Sequence, residues 1–71
     1  MGKEIRLKFG RQIRRLREKK GWTQEELAYR AGLAVRQIQY LESEKPSPAK
    51  IDTIELIAKA FGISCSRLLD L

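Results

Sequence analysis

Histidine is absent from this 71-residue chain, cysteine occurs once and proline twice. With a single thiol at Cys65, no internal disulfide can form, and a four-ligand metal site cannot be assembled from Cys and His. No nucleophile stands beside a base, and no glycine-rich loop is spaced to cradle phosphate. The sequence is therefore read as a non-enzyme that needs no cofactor. Nothing approaches the ~20 consecutive apolar residues of a membrane span, and residues 1–20 lack the apolar centre of a secretion signal. A lone thiol without such a signal reads as cytoplasmic and structural.

Acidic residues are scarce where basic ones abound. Residues 1–20 carry nine Lys or Arg against Glu4 and Glu18, a local charge of +7, whereas the remainder carries −1. The overall charge is +6 and the isoelectric point near 9.9. Such an imbalance favours a polyanionic partner, because Lys and Arg displace counterions condensed on phosphates. Solubility alone, or an amphipathic helix resting on anionic lipid, would also suit a basic segment. At this length the chain is one domain spanning 1–71, burying only ~60% of its unfolded surface, so oligomerisation would help it.

What is present is helical periodicity, punctuated at Gly21, Gly32, the Ser43–Pro48 stretch and Gly62. The first helix runs roughly from Lys3 to Lys20, with Ile5, Phe9, Ile13 and Leu16 as its apolar stripe. Thr23-Gln24-Glu25-Glu26 predicts a capping box, the Glu26 carboxylate reaching back to the cap, with Trp22 and Leu27 as a hydrophobic staple. After Gly32 a third helix runs to about Ser43, with Ile38 and Leu41 inward and Gln37 bonding a cap N–H. Ser47-Pro48 reads as N-cap and first position of a fourth helix. Its inward stripe is Ile51, Ile54, Ile57, Ala58 and Phe61. Ser64 caps a short fifth helix, with Ile63 and Leu68 as staple.

Two short helices joined through a tight glycine turn are the helix-turn-helix arrangement, here about residues 23–43. At 100° per residue, with Ile38 and Leu41 inward, Arg36 and Tyr40 point away from the core, flanked by Val35, Gln37 and Gln39. The N-terminal part of such a helix reaches bases, which selects Val35, Arg36, Gln37 and then Tyr40. Arg36 suits guanine O6/N7, Gln37 an adenine and Val35 a thymine methyl. Alternatively Arg36 and Gln37 hold phosphates or solvate the helix, and Tyr40 packs at its edge with the hydroxyl on phosphate.

The run Thr23-Gln24-Glu25-Glu26-Leu27-Ala28, then Ala31-Gly32-Leu33, Ile38 and Leu41-Glu42 resembles the Cro/repressor-type (Xre-like) helix-turn-helix family. Ile57-Ala58-Lys59-Ala60-Phe61-Gly62-Ile63-Ser64 is similar to that family's fourth helix and turn, and the likeness runs from about Phe9 to Leu69. It implies an all-α, compact five-helix lambda-repressor-like domain binding a double-stranded operator as a homodimer, with the third helix in the major groove. It implies a backbone clamp at Gln24, at a helix N-terminus that favours phosphate. It also implies phosphate contacts from Ser43, Lys45, Ser47 and Lys50, with Lys20 joining them. Arg17 and Glu42 match an ion pair holding the third helix to the first, either partly buried or solvated. Ala34 departs from the usual Ser or Thr cap, Glu44 from the usual Gly, and the Pro46-Ser47-Pro48 loop is about one residue longer than is usual in the family. Ile63, Leu68, Leu69 and Leu71 are candidates for a dimer surface, with core closure on the first helix as the alternative. A regulator of the repressor type, from a bacterium or phage, is the leading reading. An antitoxin-like protein-interaction module on the same fold is its alternative.

Overall fold

The first, second and fourth helices stop at a glycine and the third at the loop after residue 42, while the short fifth helix is capped by Leu69. A computed structural model describes residues 2–71, with side chains from residue 4 onward. The Lys3 side chain, counted with the basic residues above, lies outside the described residues. The helices are α1 Gly2–Lys19, α2 Gln24–Ala31, α3 Val35–Glu42, α4 Ile51–Phe61 and α5 Cys65–Leu68. This is the expected all-helical order, with no strand among the described residues.

The α2–α3 turn follows directly from its sequence. Gly32 adopts φ 70°, ψ 31°, a left-handed conformation that a Cβ would strain. The Leu33 N–H then reaches back to the Ala28 carbonyl at 2.8 Å and the Gly32 N–H to Tyr29 at 3.2 Å. This closes the helix with both bonds of a Schellman turn. Two residues later α3 begins. Ala34 has no side-chain acceptor, but its own N–H donates to Gln37 Oε1 at 2.9 Å, so one orphan donor is satisfied from inside the helix.

The core gathers Phe9 and Ile13 of α1, Leu27 and Ala28 of α2, Ile38 and Leu41 of α3, Ile57, Ala58 and Phe61 of α4, and Leu68 of α5. Neither α2 nor α3, at eight residues each, is long enough to persist alone in water. Packing against α1 and α4 keeps them folded. Trp22 stacks on Phe61, ring centroids 5.6 Å apart and nearly parallel, while the Arg30 guanidinium lies 4.5 Å from the Trp22 centroid on α2. This column ties the start of α2 to α4.

Several expectations are corrected. Ile5 is 52% exposed and Ile51 81% exposed, so neither joins its helix's inward stripe. The Thr23 hydroxyl accepts from Glu26 N–H at 3.1 Å. The Glu26 carboxylate, however, turns away to accept from Arg30 Nε at 2.6 Å, so the reciprocal half of the box is replaced by an i,i+4 ion pair. Helix α4 begins at Ile51 with Lys50 as cap, not at Ser47-Pro48. Pro46 is buried and Ala49 packs on the core. The loop therefore stays extended across α3, and burial overrides the local preference of Pro48 for a first helical turn. Leu68 is fully buried and cannot form a dimer surface; core closure accounts for it. The single thiol, Cys65, is exposed.

Gly10 lies buried in the middle of α1. A Cβ there would press into the Leu41 carbonyl oxygen, 3.2 Å from its carbonyl carbon and 3.3 Å from Glu42 Cα. The glycine thus lets the backbone of α3 touch α1. In an unconstrained helix Gly→Ala stabilises by roughly 0.5–1 kcal/mol. Here Gly10→Ala is expected to destabilise by about 2–3 kcal/mol through overpacking against an unyielding backbone. Thermal unfolding would show it as a fall in Tm of roughly 8–24 °C for a domain this small; an unchanged or raised Tm would refute the close approach.

Candidate nucleic-acid interface

Glu42, the last residue of α3, is the junction of the site. Its carboxylate accepts from Arg17 Nε and Nη2 of α1, both at 2.9 Å, and from Gln24 Nε2 at the start of α2, at 3.2 Å. Arg17 Nη1 donates in addition to the Trp22 carbonyl at 2.8 Å. The Arg17 and Glu42 side chains are only 12% and 4% exposed. Of the two readings of this pair, the partly buried one describes the geometry. The two-pronged fit of guanidinium to carboxylate fixes direction as well as distance. Donating to the Glu42 carboxylate raises the Arg17 pKa above its ordinary value against the opposing effect of burial, and the charges of Glu42, Glu18 and Glu25 add to it.

With both its ends fixed, α3 presents its outer face. Arg36 and Tyr40 are exposed, as are Gln37 and Gln39. Because Gln37 Oε1 already accepts from Ala34, its uncommitted groups are the two N–H donors of Nε2. That suits an acceptor better than the paired donor and acceptor of adenine. Val35 is half-buried and packs on the core. Gln24 is half-buried too, with one N–H on Glu42, which leaves its second amide donor beside the N-terminus of α2.

The loop after α3 contributes unevenly. Ser47 and Lys50 share with Gln37 and Tyr40 the lining of one concavity of about 150 Å³ between α3 and the start of α4, so these four are brought together. Ser43 is half-buried and its hydroxyl donates to the Tyr40 carbonyl at 2.8 Å. It therefore ends α3 and has no hydroxyl proton left for phosphate. Lys45 is exposed in the loop. Lys20 is exposed beyond the end of α1, its ammonium 5.6 Å from the Trp22 ring centroid. Of the dimer candidates, Ile63 is half-buried against the core, while Leu69 and Leu71 remain 45% and 43% exposed. Those two line an open groove with Ile5, Phe9 and Ile54.

Two positioning features escaped the reading of the sequence. Gly10 was signalled by a glycine interrupting a long helical pattern, which marks a close approach. The link from Gln24 to Glu42 had no local signal, since it joins residues eighteen apart in sequence.

The Helix-turn-helix family model HTH_3 matches residues 13–68. The chain belongs to this Cro/C1-type helix-turn-helix family. Among solved structures, it is similar to the restriction-modification controller protein C.AhdI from Aeromonas hydrophila. The two share 32% identity and a TM-score of 0.82, over 89% of this chain and 94% of that one. No curated protein matches the sequence. Family membership makes this helix-turn-helix protein a DNA-binding regulator, with α2 and α3 as the motif.

The clamp can be tested by removing it in halves. Glu42→Leu or Arg17→Met strands the remaining partly buried charge and is expected to destabilise, with the 3–5 kcal/mol of a fully buried pair as roughly the upper bound for each. The double variant should cost clearly less than the sum, since no unpaired charge remains. Denaturant unfolding of the four proteins measures the coupling; strict additivity would show that the pair is not a unit.

Proposed function

We propose that this helix-turn-helix protein is a sequence-specific regulator of transcription, acting as a repressor or autoregulating controller of a small operon. In this reading α3 enters the major groove of double-stranded DNA. The observation that carries it is the exposed Arg36–Gln37–Tyr40 face on a helix whose inner end is locked by Glu42. A helix held this firmly presents base-reading groups without first having to order itself. Arg36 takes guanine O6/N7 through its two-pronged guanidinium. Gln37 donates to a neighbouring acceptor, and Val35 and Tyr40 border the contact. Gln24, Lys20, Lys45, Ser47 and Lys50 hold phosphates on either side. The likeness to a restriction-modification controller protein supports a controller role, exercised on nucleoid DNA in the cytoplasm.

Operators read by such proteins carry two half-sites about one helical turn apart, matching a two-fold dimer. The groove containing Ile5, Leu69 and Leu71 is the apolar surface we assign to a homodimer on DNA. Leu69→Lys with Leu71→Lys should shift sedimentation toward monomer and leave only weak half-site binding. A dimer that persists in this variant would place the interface elsewhere.

Selection of bound duplexes from a random pool, followed by gel shifts at two salt concentrations, tests the reading as a whole. Arg36→Ala is expected to relax preference at one base-pair position by about 1–3 kcal/mol, roughly 5- to 150-fold, while leaving the fold intact. Lys45→Ala should weaken all sequences alike and reduce the salt slope by about 0.9. Failure to bind any duplex would reject the proposal, and a stoichiometric protein partner in its place would favour the protein-interaction alternative.

A further inference from the structure

A second row of cations runs along α1, on a side unrelated to the reading helix. Lys8, Arg11, Arg15 and Lys19 follow one another at spacings of three and four, which aligns them on one face of the helix. All four are exposed. At 100° per residue this row lies roughly 150° around the helix axis from Gly10 and Arg17, the positions where α3 docks. It spans about 16 Å at 1.5 Å per residue. Arg67 of α5 extends the row sideways. It shares an open groove of about 400 Å³ with Gln12, Arg15 and Lys19, and Asp70 is the acidic side chain of that lining.

These charges are poorly compensated. Among the described residues no carboxylate comes within 4.0 Å of Arg11, Arg15, Lys19 or Arg67, whereas Lys8 pairs with Glu4 at 3.7 Å. Like charges three and four apart repel, so the row opposes the helix that carries it unless an anion lies along it. Three of its five cations are arginines, whose planar forks match phosphate oxygens. Arg15 is already oriented by a hydrogen bond to Gln12 Oε1. A second groove on the row is lined by Lys8, Arg11, Gln12 and Arg15, with Leu71 of the apolar groove at its border. No aromatic side chain lines either groove, so the aromatic anchor typical of a protein interface is absent there.

We propose that the α1–α5 face is a second DNA-binding surface, which holds the phosphate backbone of another duplex segment without reading its sequence. It rests on the DNA-binding reading above only in that α3 occupies the first segment. Lys8, Arg11, Arg15, Lys19 and Arg67 hold the second, so one protomer bridges two stretches of DNA.

The experiment saturates the full chain with a bead-tethered duplex from the selection, then offers a fluorescent duplex of unrelated sequence. In parallel, backbone amides are followed by NMR as each duplex is added. The second duplex is expected to be captured, shifting amides from Arg11 to Lys19 and at Arg67 while those of α3 stay at their first-duplex positions. In the variant Arg11→Gln, Arg15→Gln, Lys19→Gln and Arg67→Gln, capture should fall by at least about tenfold. Its salt slope should drop by about 3.6, for four lost phosphate contacts. Affinity for the first duplex should stay within about threefold, reflecting long-range attraction alone. Absence of capture by the unaltered protein, or capture undiminished in the variant, overturns the second surface. Preference for polyglutamate over duplex on this face also overturns it, in favour of an acidic protein partner. Shifts along α1 without any in α3 would sink the major-groove reading and leave this one standing; no shifts anywhere would sink both.

Discussion

One carboxylate, that of Glu42, joins three of the five helices. Arg17 holds it from α1 and Gln24 from α2, while the backbone next to it at Leu41 presses against Gly10. Each of these contacts bears on the same end of α3. Removing one would leave a partly buried charge or a gap, so the position of α3 is set more tightly than apolar packing alone would set it. Ile38 and Leu41 decide which face of α3 points inward. The polar junction decides its direction and register along α1.

Most of the fold is written in local signals. Gly21, Gly32 and Gly62 all take positive φ and end helices where the pattern of apolar residues stops, and the Thr23 and Ser64 hydroxyls cap where their positions suggest. The signals fail where burial competes with them. Pro48 favours a helix start, but Pro46 and Ala49 gain more by lying against the core, and α4 waits until Ile51. Ile5 and Ile51 fit helical stripes by spacing, yet each sits near the beginning of its helix, and they stay 52% and 81% exposed.

The candidate site was legible in a different way. The outward direction of Arg36 and Tyr40 follows from periodicity once Ile38 and Leu41 are inward. The Arg17–Glu42 pair follows from no such rule, because its members are twenty-five residues apart and only family likeness brought them together. Hydrogen bonding was least visible. Gln37 and Ser43 both look like free polar contacts in the sequence, yet Gln37 Oε1 accepts from Ala34 and Ser43 donates to Tyr40. Short polar side chains near helix ends tend to satisfy the backbone first, and only coordinates show which of them do.

The division of charge on α1 has the same physical root as the rigidity of α3. A helix of eighteen residues is long enough to leave one face free after packing with the other, whereas the inner face of α3, at eight residues, is taken up by α1 and α2 together. The α3-facing side of α1 is therefore lined by a glycine, a paired arginine and apolar residues, all fixed by contact. Its far side has no such obligation and carries cations that the fold does not need. Charge that burial neither requires nor neutralises is governed by what lies outside the molecule. In a protein whose family binds DNA, a duplex is the polyanion that such a face will meet at the highest local concentration.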